Sequence, residues 1–265
     1  QIGKAKLMTI LIIKLLAKLS YLLPKLIVIV SRKAKKIYEI EGYDKTKFEL
    51  IPNGYDLSNL SVKKQKTINF LKKIKIKNKV PRVGYVARYD LLKDHLNLLK
   101  ALSIIRLKNI DFFCVLVGTN INKNNILRKE IKKLKLDNHI KLFGPTKHVS
   151  KVMNWLDIHI QSSRSEGFPN VVAEAMALKT PCVVTNVGDS SYIVGKTGWV
   201  VPPNNSIKLA KGIQKALKEI KTKNWNKKCN EARARIKDKF SISKMINSYN
   251  KLWIKVYKRN VKNLS

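Results

Sequence analysis

Two glutamates, Glu166 and Glu174, are separated by seven residues, with Gly167, Phe168, Pro169 and Asn170 directly after the first. An ionised carboxylate only accepts hydrogen bonds, so a pair at the mouth of a loop suits a ligand rich in hydroxyls, such as a ribose diol or a hexose ring. A second pair has the opposite sign: Arg88 and Lys93, in the stretch GYVARYDLLKDH. A planar guanidinium and a compact ammonium in one loop can clamp a diphosphate. Each pair also has an ordinary reading. Glu166 as a solvated loop residue and Glu174 as the partner of a helix dipole account equally well for the acids. Any loop of a chain carrying 55 Lys and Arg can hold two cations.

The elements around these residues decide how much weight position adds. Residues 157–161 alternate and are rich in β-branched types, which predicts a strand. Residues 171–178 predict a helix with Pro169-Asn170 at its start. Glu166 thus falls in a tight strand-to-helix loop, and Glu174 about one turn into the helix. The other pair repeats this arrangement, with a strand over 82–87 and a helix over 94–107. Further strands are predicted at 111–117, 140–144, 181–185 and 199–201, and helices at 126–136, 149–155, 207–220 and 242–256. Strands alternating with helices imply an α/β fold with a parallel sheet covered on both faces. In such sheets ligands bind in the crevice beyond the carboxyl ends of the strands, where both loops must lie. Gly118 and Gly144 end strands at the same edge, where glycine lets backbone approach a ligand, although ordinary turn chemistry explains each singly. Asp189, in the segment NVGD, either contacts a sugar or bonds locally in a turn. His159 is expected to be packed in the core, and His139 and His148 to lie at the surface.

Residues 7–30 are apolar, but Lys14, Lys18 and Lys25 interrupt them and Pro24 divides them. No uncharged run approaches the roughly 18 residues that a membrane span needs. The pattern predicts an amphipathic helix to about Leu23, then a strand over 26–30. A helix opens at Ser31, and a strand near 48–51 closes on the turn signal Pro52-Asn53-Gly54. A basic polar segment, 58–79, with a helix-like patch at 68–74, is expected to link two lobes.

The net charge is +38, from 55 Lys and Arg against 17 Asp and Glu spread along the chain. Lysines on solvated faces explain much of this. Attraction to an anionic membrane through the basic N-terminal helix is the second reading. Nucleic-acid binding is the third, but no DNA- or RNA-reading motif accompanies the charge, and no nucleic-acid partner is expected. Cys114, Cys182 and Cys229 lack zinc-type spacing. Buried free thiols and a reducing, cytoplasmic compartment are expected, and no metal.

Taken together, Arg88, Lys93, the Glu166/Glu174 pair inside EGFPNVVAEAM, the segment PCVVTNVGD and the later TGWVVPP resemble the nucleotide-binding half of retaining GT-B glycosyltransferases, family 4 (glycosyl transferases group 1). The resemblance is close over about residues 80–221 and looser through the tail and back to Ile51-Pro52-Asn53-Gly54. It implies that Arg88 and Lys93 hold the donor diphosphate and stabilise the departing nucleotide, acting with Glu166 as the catalytic set. It places Glu174 on the ribose diol and Glu166 on the donor sugar. Gly167, Phe168, Pro169 and Asn170 would position sugar hydroxyls through their backbone, with Gly118 and Val171 completing the donor contacts. The donor implied is a UDP- or GDP-linked sugar, the acceptor a glycan or lipid-linked glycan in cell-surface polysaccharide assembly. No metal or other cofactor is implied.

The resemblance also divides the chain. Residues 1–57 would be the last elements of an acceptor-side lobe, as if truncated at the N-terminus. Residues 58–79 would be a linker and 80–240 a complete Rossmann-like lobe. Residues 241–265 would form a helix returning toward the first lobe. A cytoplasmic location is expected, with peripheral contact on the inner face of the membrane as a further reading. The rivals are a non-catalytic nucleotide-sugar-binding remnant, a basic nucleic-acid-binding protein and a GT-B-like sugar-nucleotide epimerase.

Overall fold

The computed structural model describes residues 7–60 and 80–262. Most of the expected linker, including the helix-like patch at 68–74, lies outside the described residues. The chain forms two compact units. One comprises residues up to Gly54 together with those from Ile242, and the other runs from Tyr55 to Ser241.

In the first unit, α1 spans Leu7–Leu19, β1 Ile27–Ile29, α2 Arg32–Ile40 and β2 Phe48–Leu50. The two strands pair in parallel, Ile27 opposite Phe48, with α2 as the crossover. Ser31 caps α2 by accepting from the Ala34 N–H. The α1 helix stops earlier than its apolar run predicts. Ser20 donates to the Ala17 carbonyl and accepts the Asp44 N–H, while the Lys47 ammonium takes the carbonyls of Ser20 and Tyr21. The carbonyls of the last turn are taken by the N–H groups of residues 20–23, and Lys47 holds the chain just beyond the helix end. Burial of the helix follows one stripe: Ile10 and Ile13 are half-buried and Ala17 is buried, at three- and four-residue spacing, while Lys14 and Lys18 are exposed. The stripe is narrow, since Leu7, Met8, Leu11, Ile12, Leu15 and Leu16 are exposed as well. Among the described residues no helix is long and apolar enough to cross a membrane.

In the second unit the elements are β3 (Arg82–Val86), α3 (His95–Leu107), β4 (Phe113–Val117), α4 (Asn125–Lys133), β5 (Ile140–Phe143) and α5 (Val149–Trp155). There follow β6 (Ile158–Gln161), α6 (Asn170–Ala177), β7 (Cys182–Thr185), α7 (Ser190–Val194), β8 (Trp199–Val201), α8 (Ser206–Ile220) and α9 (Trp225–Lys239). The six strands form one parallel sheet in the order β5-β4-β3-β6-β7-β8. The four inner strands β3, β4, β6 and β7 are buried almost throughout because both faces of the sheet are covered. Alternate residues feed separate cores: Cys114 and Leu116 point to the side packed by α3, α4 and α8, whereas Phe113, Val115 and Val117 point to the side packed by α5, α6, α7 and α9. The sequence pattern did not predict α7 or α9, although Trp225, Cys229, Ala232 and Ile236 fall at helical spacing. The tail helix α10 runs Ile242–Lys262 and belongs to the first unit, where the Lys255 ammonium meets Glu49 at 2.9 Å.

Cys114 and Cys182 are buried free thiols and Cys229 is partly buried. Burial pushes the Cys114 and Cys182 thiols up, as expected for inert core sulfurs. His159 is fully buried, as its strand position implied. His139 and His148 are only half-exposed, and His139 stacks on Phe112 at 5.2 Å between ring centroids.

Strand order sets where a ligand can enter. From β3 the chain moves outward through β4 and β5, then returns to β6 on the other side and continues to β7 and β8. The loops after β3 and β6 therefore diverge at the switch point of the sheet. Close approach of the neighbouring loop is made possible by Gly188 (φ +52°), where a Cβ would fall 2.3 Å from the Gly167 carbonyl oxygen.

Two predictions follow from this packing. Gly188→Ala should lower unfolding free energy by on the order of 1–3 kcal/mol, through positive φ and the clash; an unchanged denaturation midpoint would contradict it. Burial also depresses two core histidines, His95 to about 4 and His159 to about 3, against 6.5 for the free side chain. The unfolded chain then binds more protons than the folded one below 6.5, so stability is complete above that pH and is lost as pH falls toward 4. Burial raises Glu174 and opposes this weakly. Melting temperature should drop between pH 7 and pH 4.5 by calorimetry; a flat profile would refute the histidine assignment.

Candidate functional site

After β3 the chain passes Arg88 and makes one 3₁₀ turn, Leu91–Lys93, before α3. Asp90 starts that turn by accepting the Leu92 N–H at 2.8 Å, and its other oxygen meets Arg88 at 3.2 Å. Those bonds, the Leu92 amide first, hold the Asp90 carboxyl below the usual range. Asp94 then takes a left-handed conformation (φ +49°) and caps α3 by accepting from the Asn97 N–H. This aims Lys93 outward while the Asp94 carboxylate stays buried.

The loop after β6 is laced to this one. Arg164 reaches the two Asp94 oxygens at 2.7 and 3.1 Å, a fork-to-fork pair. That bond, first among its causes, raises the guanidinium further. The Arg164 N–H donates to the Leu92 carbonyl at 2.7 Å, and the Ser162 hydroxyl lies 3.0 Å from both the Lys93 and Asp94 carbonyls. The consequence is that Lys93 and Glu166 meet across the switch point, Nζ to Oε1, at 2.7 Å.

Glu166 is held from behind as well. The Ser163 hydroxyl lies 2.7 Å from the same Oε1, and the Tyr85 hydroxyl lies 2.7 Å from Ser163 Oγ. A carboxylate only accepts, so Ser163 donates to Glu166 and Tyr85 donates to Ser163. Tyr85 is fully buried, and desolvation pushes its phenol up and keeps it protonated. Thr185, ending β7, fixes the Ser163 carbonyl at 2.7 Å.

Beyond Glu166 the loop exposes Gly167 and buries Phe168, whose ring meets Phe240 edge-on at 5.6 Å. Phe168 thus anchors the loop through its side chain and can offer a ligand only its backbone. Pro169 precedes the first helical residue of α6, Asn170, as the sequence signal implied. Asn170 is exposed, and its Oδ1 accepts from the Tyr55 hydroxyl at 2.7 Å. Val171 is half-exposed beside it. Glu174 sits one turn on, partly buried, and burial raises its carboxyl. Tyr55 is raised by burial and then by the nearby Glu174 charge.

The predicted residues therefore gather at one sheet edge in different states. Lys93 and Glu166 are paired. The Arg88 side chain is 68 % exposed and pairs with Asp90 at 3.2 Å. Gly118 ends β4, its N–H donating to the Phe143 carbonyl at 3.3 Å, and an added Cβ would strike the Ala87 carbonyl. Asp189 is buried, and its N–H donates to the Gly167 carbonyl at 2.8 Å. Sequence reasoning missed Tyr85, Ser163, Asp94, Arg164 and Tyr55. The available signals were a lone tyrosine in an aliphatic strand and an aspartate opening a helix.

Among the described residues, no cluster of three or more His, Cys, Asp or Glu could hold a metal ion. The assembled chemistry is an anion-attracting guanidinium, a paired ammonium and two carboxylates beside a helix N-terminus.

The chain is similar to known proteins in sequence and fold. The capsular polysaccharide biosynthesis glycosyltransferase CapM of Staphylococcus aureus is 26 % identical over 164 residues, which is 60 % of this chain and 42 % of that protein. The chain spans less than half the length of the curated relatives it matches. A glycosyltransferase structure from Rickettsia africae ESF-5 superposes with a TM-score of 0.80 at 26 % identity, covering 88 % of this chain and 64 % of that one. HepE of Anabaena, in a crystal structure with UDP and glucose, gives a TM-score of 0.80 at 18 % identity, covering 94 % and 67 %. The fold is that of GT-B glycosyltransferases. Residues 66–235 match the sequence profile described as Glycosyl transferases group 1, and the chain belongs to that family.

Proposed function

We propose that this chain carries the donor-binding half of a retaining, family 4 glycosyltransferase that takes a sugar from a UDP- or GDP-linked donor. The observation that carries this reading is the Lys93–Glu166 pair at the switch point of the sheet, with exposed Arg88 on the same loop. A diphosphate bearing two to three negative charges suits Arg88 and Lys93, which lie before the N-terminus of α3. As the glycosidic bond to the leaving phosphate breaks, negative charge builds on that oxygen. Fixed cations stabilise it more in the transition state than in the ground state, so no metal is required. Glu166 faces the sugar hydroxyls and Glu174 the ribose diol. Backbone groups of Gly167, Phe168, Pro169 and Asn170 position the sugar, with Val171 and Gly118 alongside. The complex of HepE with UDP and glucose, on the same fold, supports a nucleotide-sugar ligand.

The acceptor we propose is a glycan or lipid-linked glycan of a cell-surface polysaccharide, supported by the role named for CapM. We place the protein in the cytoplasm, drawn to anionic lipid by its net charge of +38.

Titration calorimetry with UDP and GDP tests the diphosphate assignment. Arg88→Glu and Lys93→Met should each weaken binding about tenfold or more, the loss of one charge-assisted contact. Lys211→Glu, on α8, should change affinity by less than about twofold, since a distant surface charge acts only through the screened field. Unchanged affinity in the two loop variants would overturn the assignment. An equal loss in Lys211→Glu would assign binding to bulk charge.

A further inference from the structure

We infer that Tyr85 and Ser163 are positioning residues for Glu166, forming a one-way hydrogen-bond relay that sets how well the site recognises the donor sugar. This rests on the reading of Glu166 as a sugar-facing carboxylate.

The relay has a fixed direction. Glu166 cannot donate while ionised, so the Ser163 proton points at Oε1 and the Tyr85 proton points at Ser163. Its inner end is rigid. Tyr85 is fully buried in the central strand β3, with its ring 5.0 Å from His95 and 6.0 Å from His159. Its middle is rigid too, because Thr185 holds the Ser163 backbone and Ser163 is itself buried. Only the outer end faces solvent. Lys93 and Ser163 both bond Oε1, so this carboxylate oxygen is clamped from the protein side. Without Ser163, Glu166 would be held by Lys93 alone, a flexible four-carbon stem. If Lys93 turned to a diphosphate, the relay would be the remaining hold on Glu166.

The test is a double-substitution cycle on the full chain, read by calorimetry with UDP, GDP, UDP-glucose and GDP-mannose. Tyr85→Phe keeps the ring contacts and removes only the donor. It should weaken the nucleotide-sugar about fivefold while leaving the nucleoside diphosphate within about twofold, the loss of one hydrogen bond at the sugar end alone. In a Glu166→Gln background, Tyr85→Phe should have no further effect on the nucleotide-sugar. Ser163→Ala should reproduce the Tyr85→Phe pattern and provides a second route if the phenylalanine variant folds poorly. Parallel losses for both ligands, full additivity with Glu166→Gln, or no loss at all would overturn the relay. Absence of nucleotide binding by the unsubstituted chain would instead overturn the donor reading, and the relay with it.

Discussion

A charge that leaves bulk water must be matched, and this requirement organises the whole sheet edge. The side chains of Lys93 and Glu166 retain only 23 % and 10 % of their exposure. Either group alone would cost several kcal/mol at that depth. They are tolerable because they meet at 2.7 Å and because Ser163 adds a hydrogen bond to the carboxylate. The pair in turn demands that two loops, 73 residues apart in sequence, be placed to within ångströms. Parallel neighbours β3 and β6 bring them side by side, and the Asp94–Arg164 fork with the Ser162 bonds removes the remaining freedom.

The same economy applies to the chain's charge. With 55 cations, the presence of Arg or Lys in a loop says little, whereas each of only 17 acids is informative. Asp90, Asp94, Glu166, Glu174 and Asp189 all fall on loops or helix starts at the carboxyl edge of one sheet. Each is tied to a cation, an amide or a buried position there. Carboxylates so placed offset the repulsion among the cations that a diphosphate would need, and they keep those cations oriented when no anion is bound.

The regular part of this architecture was legible because its signals are local. Strands such as residues 113–117 and helices such as 95–107 follow from β-branched runs, apolar spacing and an Asp before the helix. The edge location of Arg88, Lys93 and Glu166 followed from the strand-loop-helix order alone. What could not be read locally was which side chains meet. Ser163 is one of several serines in its stretch, and only the register of β3 against β6 puts Tyr85 behind it. The α9 helix was missed because its charged residues hide a sparse apolar stripe. The contacts that hold the chain just beyond α1 involve Lys47 and Asp44, which lie far along the chain.

The ligand-free pairing has a consequence for how a donor would be bound. Lys93 is already committed to Glu166, so a diphosphate that recruits it must break a 2.7 Å ion pair. That step leaves a poorly hydrated carboxylate, which is costly unless another donor replaces the ammonium. On the proposed donor reading, a sugar hydroxyl on the same ligand would supply such a donor to the carboxylate. Phosphate and sugar recognition are then coupled through one exchange. The nucleotide alone bears the cost of separating the pair, and the sugar recovers it. On the proposed donor reading, preference for a complete nucleotide-sugar over its parts would arise from two charges that satisfy each other until both ends of the ligand arrive, with Ser163 and Tyr85 preserving the carboxylate's direction meanwhile.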